Sequence, residues 1–337
     1  MKIARSLRSF CTAMALSLGL SLGFAAPALQ AAEALPSWND GAAKARIVAF
    51  VQDTTDPRSR NYVAPAERIA VFDNDGTLWP ENPMPFQLAF SIDELKRRLP
   101  GEPAWKDDPF VQAALAGNLP PLLADNYNGL FHIIELTGSG MSTVDFAARV
   151  REWFATAKHP RFERPYDQLA YQPMLEVLEF FRANGFKTFI VSGGGSDFMR
   201  VFSEGTYGIP PEQVVGSNTR VVYELRDSGP VLVKTMDDLF INDRGGKPAG
   251  IHQFLGQRPI ACFGNSDGDQ AMLEYTTINN PHPSLGILIH HTDAEREYAY
   301  DSAPKSSGKL ATALAEAPKR GWTVVDMKTD WAEIFRP

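Results

Sequence analysis

The sequence contains almost no cysteine: among its 337 residues, Cys11 and Cys262 are the two thiols. Cys11 falls in an N-terminal leader that is described below, so the rest of the chain has a single cysteine. One thiol cannot form an internal disulfide, and it cannot build a zinc site from cysteines. The stability of the fold must therefore come from its packed core.

Positive charge is also scarce. The chain has 33 Lys and Arg against 40 Asp and Glu, a formal net charge of −7, and the basic residues form no long run. A face that binds a phosphate backbone is therefore not expected, and nucleic acid is not predicted as a partner. Apolar residues make up 44% of the chain, which is enough for a core. A chain of this length predicts two domains, or one domain with a large insertion.

The first 32 residues predict a secretory signal peptide. Lys2, Arg5 and Arg8 form a basic start, an apolar stretch with Ser and Gly follows, and small residues such as Ala31 and Ala32 come last. This order is typical of a cleaved signal, whereas a single membrane anchor is the alternative. Without residues 1–32 the mature chain would carry a net charge of −10 and no membrane segment, and it would be periplasmic or secreted.

Short apolar runs without polar alternation predict a parallel sheet, because strands that are buried on both faces have this pattern. The predicted strands are Arg68–Phe72, Lys187–Val191, Pro259–Phe263 and Gly286–His290. The first three end in a polar loop that contains glycine. In an open α/β sheet the ligand site lies outside the carboxyl ends of the strands, so we expect these three loops to converge.

Residues 79–170 predict a helical insertion after the first strand, because their apolar residues have helical spacing and Pro and Gly separate the segments. Helices are expected at Phe86–Leu99, Pro109–Ala116 and Thr143–Ala157, and no strand is expected in this region.

Two further helices and one hairpin are predicted in the second half of the chain. The helices are Pro173–Ala183, with proline in its first turn, and Asp197–Phe202. Residues 217–236 predict a small β-hairpin, with Arg220–Leu225 and Val231–Thr235 on either side of a Gly-Pro turn.

Asp73 and Asp75 follow the first predicted strand and are the strongest functional signal. Gly76 lets the backbone turn sharply, and Thr77 adds a hydroxyl. Two crowded carboxylates repel each other and need a cation, and Mg²⁺ prefers oxygen ligands of this kind. The alternative is an acidic Asp-Gly turn without a function.

Ser192 and the glycines at 193–195 follow the second predicted strand and precede a predicted helix. A hydroxyl, glycine N–H groups and a helix N-terminus together can hold an anion, although many strand-to-helix turns are rich in glycine for steric reasons. Lys247 lies in a predicted loop, where a lone lysine is usually a solvated surface charge. Asn265, Asp267 and Asp269 follow the third strand and offer three side-chain oxygens, unless they form only a solvated turn.

In this order the motifs resemble the four motifs of the haloacid dehalogenase (HAD) superfamily, most closely its phosphoserine phosphatase-like phosphatases. The resemblance implies a Rossmann-like α/β core at 33–78 and 171–337, in which helices flank a parallel sheet, and a helical cap at 79–170. About fifty residues separate the second and third motifs, too few for the larger cap type. The resemblance further implies that Asp73 is the nucleophile and Asp75 the general acid/base. It implies that the phosphoryl group is bound by Thr77, Ser192, Gly193 and Lys247. It implies that Mg²⁺ is bound by Asp73, Asp75, Asn265 and Asp269, with Asp267 either on the metal or behind its ligands.

The chain departs from the family at Asn265, where the family commonly has Asp. An amide oxygen can bind Mg²⁺, but the site loses one negative charge, which Asp267 or Asp269 would have to supply. The presence of Asp75 favours phosphoryl transfer over halide chemistry, because an alkoxide leaving group needs a proton donor whereas halide does not.

The sequence thus predicts a Mg²⁺-dependent phosphomonoesterase that acts on a small organic phosphate through an aspartyl-phosphate. A phosphotransferase with the same intermediate and a non-catalytic periplasmic anion-binding protein are the alternatives. Glu81, Asn82 and Phe86 follow the first motif closely and are expected to border the leaving group.

Aromatic residues in or near the insertion raise a separate question about the substrate. Trp79, Trp105, Tyr127 and Trp153 either form a cage for a choline-like cation or simply pack in the core. His290 and His291 end a predicted strand, where paired histidines are more often structural than metal-binding.

Overall fold

The computed structural model describes residues 35–336, apart from the side chain of Asn126. The predicted signal at 1–32 and Cys11 lie outside the described residues, so that expectation stays a prediction. Within the described range, no helix is both long and apolar enough to cross a membrane.

Within residues 35–336, six strands form a parallel sheet, which confirms the predicted fold class. In spatial order they are β3 (Val214–Ser217), β2 (Lys187–Gly195), β1 (Ile69–Phe72), β6 (Ala261–Gly264), β7 (Leu285–His290) and β8 (Thr323–Asp326). Every residue of β1 and β6 is buried, which explains why their sequences show no polar alternation. The four predicted strands are present, whereas β3 and β8 were not predicted.

The chain order of the sheet changes direction at β1, which pairs with β2 on one side and with β6 on the other. Ligand sites of open α/β sheets lie in the crevice at such a point. Phe72, the last residue of β1, pairs with Ile190 and with Phe263. The loop after β1 and the residues that follow Ile190 and Phe263 therefore lie at the same edge of the sheet.

The predicted hairpin forms a separate two-stranded antiparallel sheet of β4 (Val221–Arg226) and β5 (Gly229–Lys234). Its turn lies at residues 227–228, and the predicted Gly-Pro turn is instead the start of β5. The backbone N–H of Gly140 donates to the carbonyl of Lys234 at 3.0 Å, and the N–H of Lys234 donates to the carbonyl of Met141 at 2.9 Å. The hairpin thus packs on the insertion and is not a feature of the core alone.

Residues 79–170, all of which have a described backbone, form helices and no strand, as predicted. The insertion contains a long helix, α4, that was not predicted, and α1 near the N-terminus was also missed. Of the predicted helix at 197–202, only 197–199 are helical, in a helix of four residues, and the next short helix begins at Ser203. The helices are α1 (Ala42–Thr55), α2 (Phe86–Arg98), α3 (Pro109–Leu115), α4 (Pro120–Gly138), α5 (Thr143–Thr156), α6 (Gln172–Ala183), α7 (Ser196–Met199), α8 (Ser203–Tyr207), α9 (Gly246–Gly250), α10 (Gln270–Thr277), α11 (Thr312–Arg320) and α12 (Met327–Asp330).

Side-chain caps explain where two of the insertion helices, α3 and α5, begin. The carboxylate of Asp108 accepts the N–H groups of Phe110 and Val111, and Pro109 occupies the first position of α3, where its missing N–H costs nothing. The hydroxyl of Ser142 accepts the N–H of Asp145 at 3.0 Å at the start of α5.

The helix α2 is buried on two sides. Phe86 and Phe90 pack into the main core together with residues of the sheet, whereas Leu88, Ile92 and Leu95 belong to a second apolar cluster with α3 and α4. The insertion therefore has a small core of its own and also shares the main core. This double burial holds the insertion helices against the edge of the sheet where the polar loops meet.

Candidate active site

A buried ion triplet lies where β1 and β6 end. The Nζ of Lys247 is 2.8 Å from Oδ1 of Asp73 and 2.5 Å from Oδ1 of Asp269. Asp73 is 7% exposed, Lys247 2% and Asp269 0%. Lys247 lies in α9, not in the predicted loop, and it is not a solvated surface charge. The structure thus brings together three residues that the sequence placed in three separate motifs.

Burial and mutual charge set the ionisation of this triplet. Burial, and then the Asp269 carboxylate, raise the pKa of Asp73 well above its usual range, and Lys247 partly offsets this effect. Burial alone would lower the pKa of Lys247, but the carboxylates of Asp269 and Asp73 outweigh burial and raise that pKa. Lys247 is therefore a permanent cation beside Asp73.

Asp75 follows Asp73 in the same turn. Its Oδ1 accepts the indole N–H of Trp79 at 2.6 Å and the side-chain amide of Asn74 at 3.3 Å. Burial raises the pKa of Asp75 to about 6. A carboxyl group with such a pKa can both donate and accept a proton near neutral pH.

Gly76 has a φ of +78°, and a Cβ at this position would overlap the side chains of Asn265 and Glu81.

The anion cradle differs in part from the prediction. Ser192 and its glycines continue the strand β2 as far as Gly195, and the helix that follows is only four residues long. The N–H of Gly194 donates to the hydroxyl of Ser192 at 3.2 Å, and the N–H of Gly195 donates to Oε1 of Gln87 at 2.7 Å. Ser192, Gly193 and Lys247 line one cavity, but the helix that was predicted to complete the cradle is only one turn long.

Asn265 is held by a chain of hydrogen bonds. The hydroxyl of Thr77 donates to Oδ1 of Asn265 at 3.1 Å, and Nδ2 of Asn265 donates to Oε1 of Glu81 at 2.6 Å. Burial raises the pKa of Glu81 to about 7. Thr77 is fully buried, and it orients Asn265 instead of facing the cavity, where the sequence had placed it at the phosphoryl group.

Asp269 and Asp267 already have protein partners. Oδ2 of Asp269 accepts the N–H groups of Asn265 at 2.9 Å and Ser266 at 3.0 Å, while Oδ1 faces Lys247. Oδ1 of Asp267 accepts the N–H groups of Ala311 and Ala313, so this residue caps the start of α11. Both carboxylates thus hold the loop after β6 in shape.

A cavity of about 240 Å³ opens above the ion triplet. Its walls include these predicted site residues: Asp73, Asp75, Glu81, Ser192, Gly193, Lys247 and Asp267. Tyr127, which the sequence offered as part of an aromatic cage, also lines it. Other lining residues escaped the sequence reasoning: Gln87, Leu130, Phe131, Ile134, Asp243, Arg244 and Lys309. Four of the lining residues belong to α4 and give the cavity an apolar wall opposite the carboxylates: Tyr127, Leu130, Phe131 and Ile134.

Two residues that were predicted to border the leaving group do not line this cavity. Nε2 of His159 lies 2.9 Å from the backbone carbonyl of Asn82, in a buried hydrogen bond. Phe86 is fully buried and packs on Trp79 with a centroid distance of 4.6 Å. Because the chain turns into the core after Glu81, Asn82 and Phe86 support the insertion instead of contacting substrate.

The four aromatic residues do not form a cage, which was one of the two interpretations of them. Trp79 and Trp153 are buried in the main core, and the guanidinium of Arg98 lies 4.8 Å from the ring of Trp105. Of the four residues considered, Tyr127 alone lines the cavity. The packing alternative is therefore the correct one for Trp79 and Trp153.

His291 has a structural role behind the site. Its Nδ1 is 3.0 Å from a carboxylate oxygen of Glu297, and its Nε2 is 2.7 Å from the carbonyl of Gly76. Both ring nitrogens face acceptors, so the ring is held as a cation that donates twice. Burial lowers the pKa of His291, but Glu297, Glu81 and the carbonyl of Gly76 together outweigh burial, and the net shift is upward.

This arrangement predicts a pH-dependent stability. A group whose pKa is raised on folding stabilises the protein below its unfolded pKa, about 6.5 for histidine, and that stabilisation is lost as the pH rises through the raised value. Urea unfolding between about pH 5.5 and 8.5 should show this loss in the wild type. The variant His291→Gln should lose part of the dependence, because Asp75 and Glu81, whose pKa values are also raised, titrate in the same range and remain. The variant His290→Gln should keep all of it. If the free energy of unfolding changes with pH to the same extent in all three proteins, this role of His291 is contradicted.

The donor set fits a divalent cation. No group of three or more His, Cys, Asp or Glu side chains gathers as metal ligands in the described residues, but Mg²⁺ usually takes only one or two carboxylates, with water and substrate oxygens. Oδ1 of Asp73 is buried without a hydrogen bond in residues 35–336, since Lys247 is in ion-pair range but not aligned to donate. Acidic side chains also outnumber basic ones in the cavity wall: Asp73, Asp75, Glu81, Asp243 and Asp267 against Arg244, Lys247 and Lys309.

Comparisons with known proteins identify the family of this chain. A family profile described as haloacid dehalogenase-like hydrolase matches residues 70–274, which is more than half of the chain. No curated protein matches the sequence.

Three solved structures are similar to this chain. A conserved functionally unknown protein from Anaerococcus prevotii DSM 20548 has 16% identity and a TM-score of 0.49, over 80% of this chain and 96% of that one. A protein with unknown function from Bordetella pertussis Tohama I has 17% identity and a TM-score of 0.48, over 77% and 99%. A phosphoserine phosphohydrolase-like protein from Francisella tularensis subsp. tularensis SCHU S4 has 16% identity and a TM-score of 0.37, over 75% and 98%. The family profile, which spans all of the motifs described above, shows that this chain belongs to the haloacid dehalogenase-like hydrolases.

Proposed function

We propose that the chain is a Mg²⁺-dependent phosphatase that hydrolyses a small organic phosphate monoester through an aspartyl-phosphate. The observation that carries this proposal is the buried Lys247 between Asp73 and Asp269, in a cavity that Asp75 and Ser192 also line. Binding of an anion alone would need the lysine, but it would not need two carboxylates beside it.

In the proposed reaction a carboxylate oxygen of Asp73 attacks phosphorus, and the bond between phosphorus and the ester oxygen breaks. Lys247, the hydroxyl of Ser192 and the backbone at Gly193 face the phosphoryl oxygens and stabilise their charge in the transition state. Asp75 gives its proton to the leaving alkoxide. It then takes a proton from the water that attacks the aspartyl-phosphate, which releases phosphate and restores Asp73.

Mg²⁺ would be held by Asp73 and by an oxygen of Asp75 that does not carry the catalytic proton, and when bound it would offset the charge of the phosphate and the carboxylates. The side-chain oxygen of Asn265, a further predicted ligand, accepts the hydroxyl of Thr77 and does not line the cavity. Asp269 is committed to Lys247 and to backbone N–H groups, so we place it behind the ligands, where it fixes the loop of Asn265. Asp267 has the same supporting role through α11.

Removal of the metal provides the first test. Purified mature protein should release phosphate from an aryl phosphate in Mg²⁺, and a chelator should lower the rate by a factor on the order of 10² or more. Added Mg²⁺ should restore the rate. A protein that binds phosphate but releases none from any ester in Mg²⁺ would instead support the anion-binding alternative. Formation of a new ester when an alcohol is added in excess would indicate the phosphotransferase.

The proposal includes a periplasmic or secreted location, which the leader at 1–32 supports. Fractionation of the producing cells, followed by N-terminal sequencing, tests this part independently of activity. A full-length protein in the cytoplasmic fraction, with Met1 intact, would contradict it.

A further inference from the structure

A second and larger cleft lies away from the active-site cavity. Its volume is about 580 Å³, and α5, the segment after it, α6, the region of α7 and α8, and the C-terminal end of the described chain form its walls. Among the described residues, none of those that line it also lines the active-site cavity. The volume is in the range of clefts that hold small organic ligands.

The charge of this cleft is opposite to that of the protein. Arg151, Arg164 and Arg336 line it, and Asp167 is the acidic residue beside them, although the chain as a whole carries a net charge of −7. Within residues 35–336, the guanidinium groups of Arg151 and Arg164 have no hydrogen-bond or ion-pair partner, and that of Arg336 makes only a 3.5 Å bond to Gln172. These planar groups are therefore free to take up an oxyanion.

The rest of the cleft wall is largely apolar. Phe154 and Phe202 line it while being almost completely buried, and Leu175 and Val201 lie beside them. One polar group on the wall is unsatisfied: Oδ1 of Asp167 has no hydrogen-bond partner in the described part of the chain. A ligand for this cleft would thus combine an anionic group, an apolar body and a donor such as a hydroxyl.

We propose that this cleft is a binding site for a small organic oxyanion, a phosphate or a carboxylate with an apolar body, which Arg151 and Arg164 hold. The concave shape favours a small molecule over a protein surface, because protein partners usually bind flatter faces. The proposal does not depend on the catalytic function.

The cleft and the active-site cavity are neighbours, but aromatic side chains separate them, so the cleft can be tested alone. Phe202 lines the cleft and stacks on Trp79 with a centroid distance of 4.3 Å, and the indole N–H of Trp79 donates to Asp75. An aromatic layer therefore stands between the two sites. Substitution of the arginines on the far side leaves this layer and the catalytic carboxylates untouched.

Calorimetric titration tests the proposal with two probes, phenylphosphonate and benzoate, which distinguish a phosphate from a carboxylate ligand. The preferred probe is the one that the wild type binds more tightly. The variant Arg151→Ala/Arg164→Ala should either lose the cleft as a binding site for this probe or bind it there at least about tenfold more weakly. The matched control is Arg46→Ala/Arg60→Ala, which removes two exposed arginines that line neither cavity and should bind as the wild type does.

Binding that is the same in the wild type and in the cleft variant, or equally weakened in the control, would overturn the proposal. The proposal would also be overturned if neither probe bound, or if both bound only at a site that the cleft variant retains. If the double variant has a lowered melting temperature, Arg151→Glu replaces it, because Arg151 is exposed and unpartnered and its reversal should still abolish binding in the cleft.

Discussion

Replacement of Asp73 by Asn is expected to lower kcat for phosphate release by a factor on the order of 10⁴ or more, as loss of a nucleophile does in other hydrolases. The amide has nearly the same shape, and its oxygen can still face Lys247, which lies 2.8 Å from Asp73 in the wild type. The variant should therefore fold and keep the cavity, but it has no oxygen that can form the aspartyl-phosphate. Release of phosphate from an aryl phosphate in Mg²⁺ measures the effect.

Asp243→Asn is the matched control, because it removes one negative charge from the same cavity without touching the ion triplet. We expect the kcat of this variant to fall by less than about tenfold, because only the electrostatic field in the cavity changes. Asp73→Asn should also still bind inorganic phosphate, since Ser192 and Lys247 remain. An Asp73→Asn protein that keeps more than about a hundredth of the wild-type kcat would remove Asp73 as the nucleophile.

The convergence of the polar loops at one edge of the sheet was predictable because these loops follow strands. Asp73, Ser192 and Asn265 each come directly after an apolar run, and parallel strands bring their carboxyl ends to one edge whatever the spacing along the chain. Lys247 follows no strand, and it was assigned only through the family resemblance. Its burial between two carboxylates could not be read from its neighbours in sequence.

The wall opposite the carboxylates could not be predicted in the same way. Residues 120–138 begin with two prolines, contain glycine and asparagine, and do not show a clear helical stripe, yet they form α4 and supply Tyr127, Leu130 and Phe131 to the cavity. The reason is tertiary: α4 packs on α2 and α3 in the small apolar cluster, and this packing outweighs weak local preference. The missed strand β8 is similar, because it has four residues and gains its place by pairing with β7.

Closeness in sequence to the first motif was a poor guide to contact with substrate. Glu81 lines the cavity, whereas Asn82 and Phe86, one and five residues further on, face the interior of the protein. Thr77 likewise belongs to the motif but points to Asn265. After a glycine with positive φ the chain can leave in directions that sequence spacing does not specify, so each side chain after Gly76 needed the structure to be placed.

Substitution of Lys247 by Met is expected to cost about 3–5 kcal/mol in the free energy of unfolding at pH 7, because it leaves two buried carboxylates without their cation. Asp73 and Asp269 both lie within 2.8 Å of the ammonium and are almost fully buried. Phosphate release should fall by a factor on the order of 10³ or more as well, since the charge that faces the phosphoryl oxygens is lost. Urea unfolding in the presence of a chelator measures the stability without any contribution from bound metal.

The sign of the pH dependence makes this prediction specific to charge. The pKa of Asp73 is already raised by burial, and without the ammonium it rises further, so acidification neutralises Asp73 in the folded variant before the unfolded chain takes up a proton. The instability of Lys247→Met should therefore be largest at neutral pH and should shrink as the pH falls through the raised value. Lys309→Met, which removes an exposed lysine from the same cavity, should change stability by less than about 0.5 kcal/mol at any pH. If Lys247→Met has the same deficit at pH 5 as at pH 7, lost packing and not an uncompensated charge is the cause, and the ion triplet does not hold the site together.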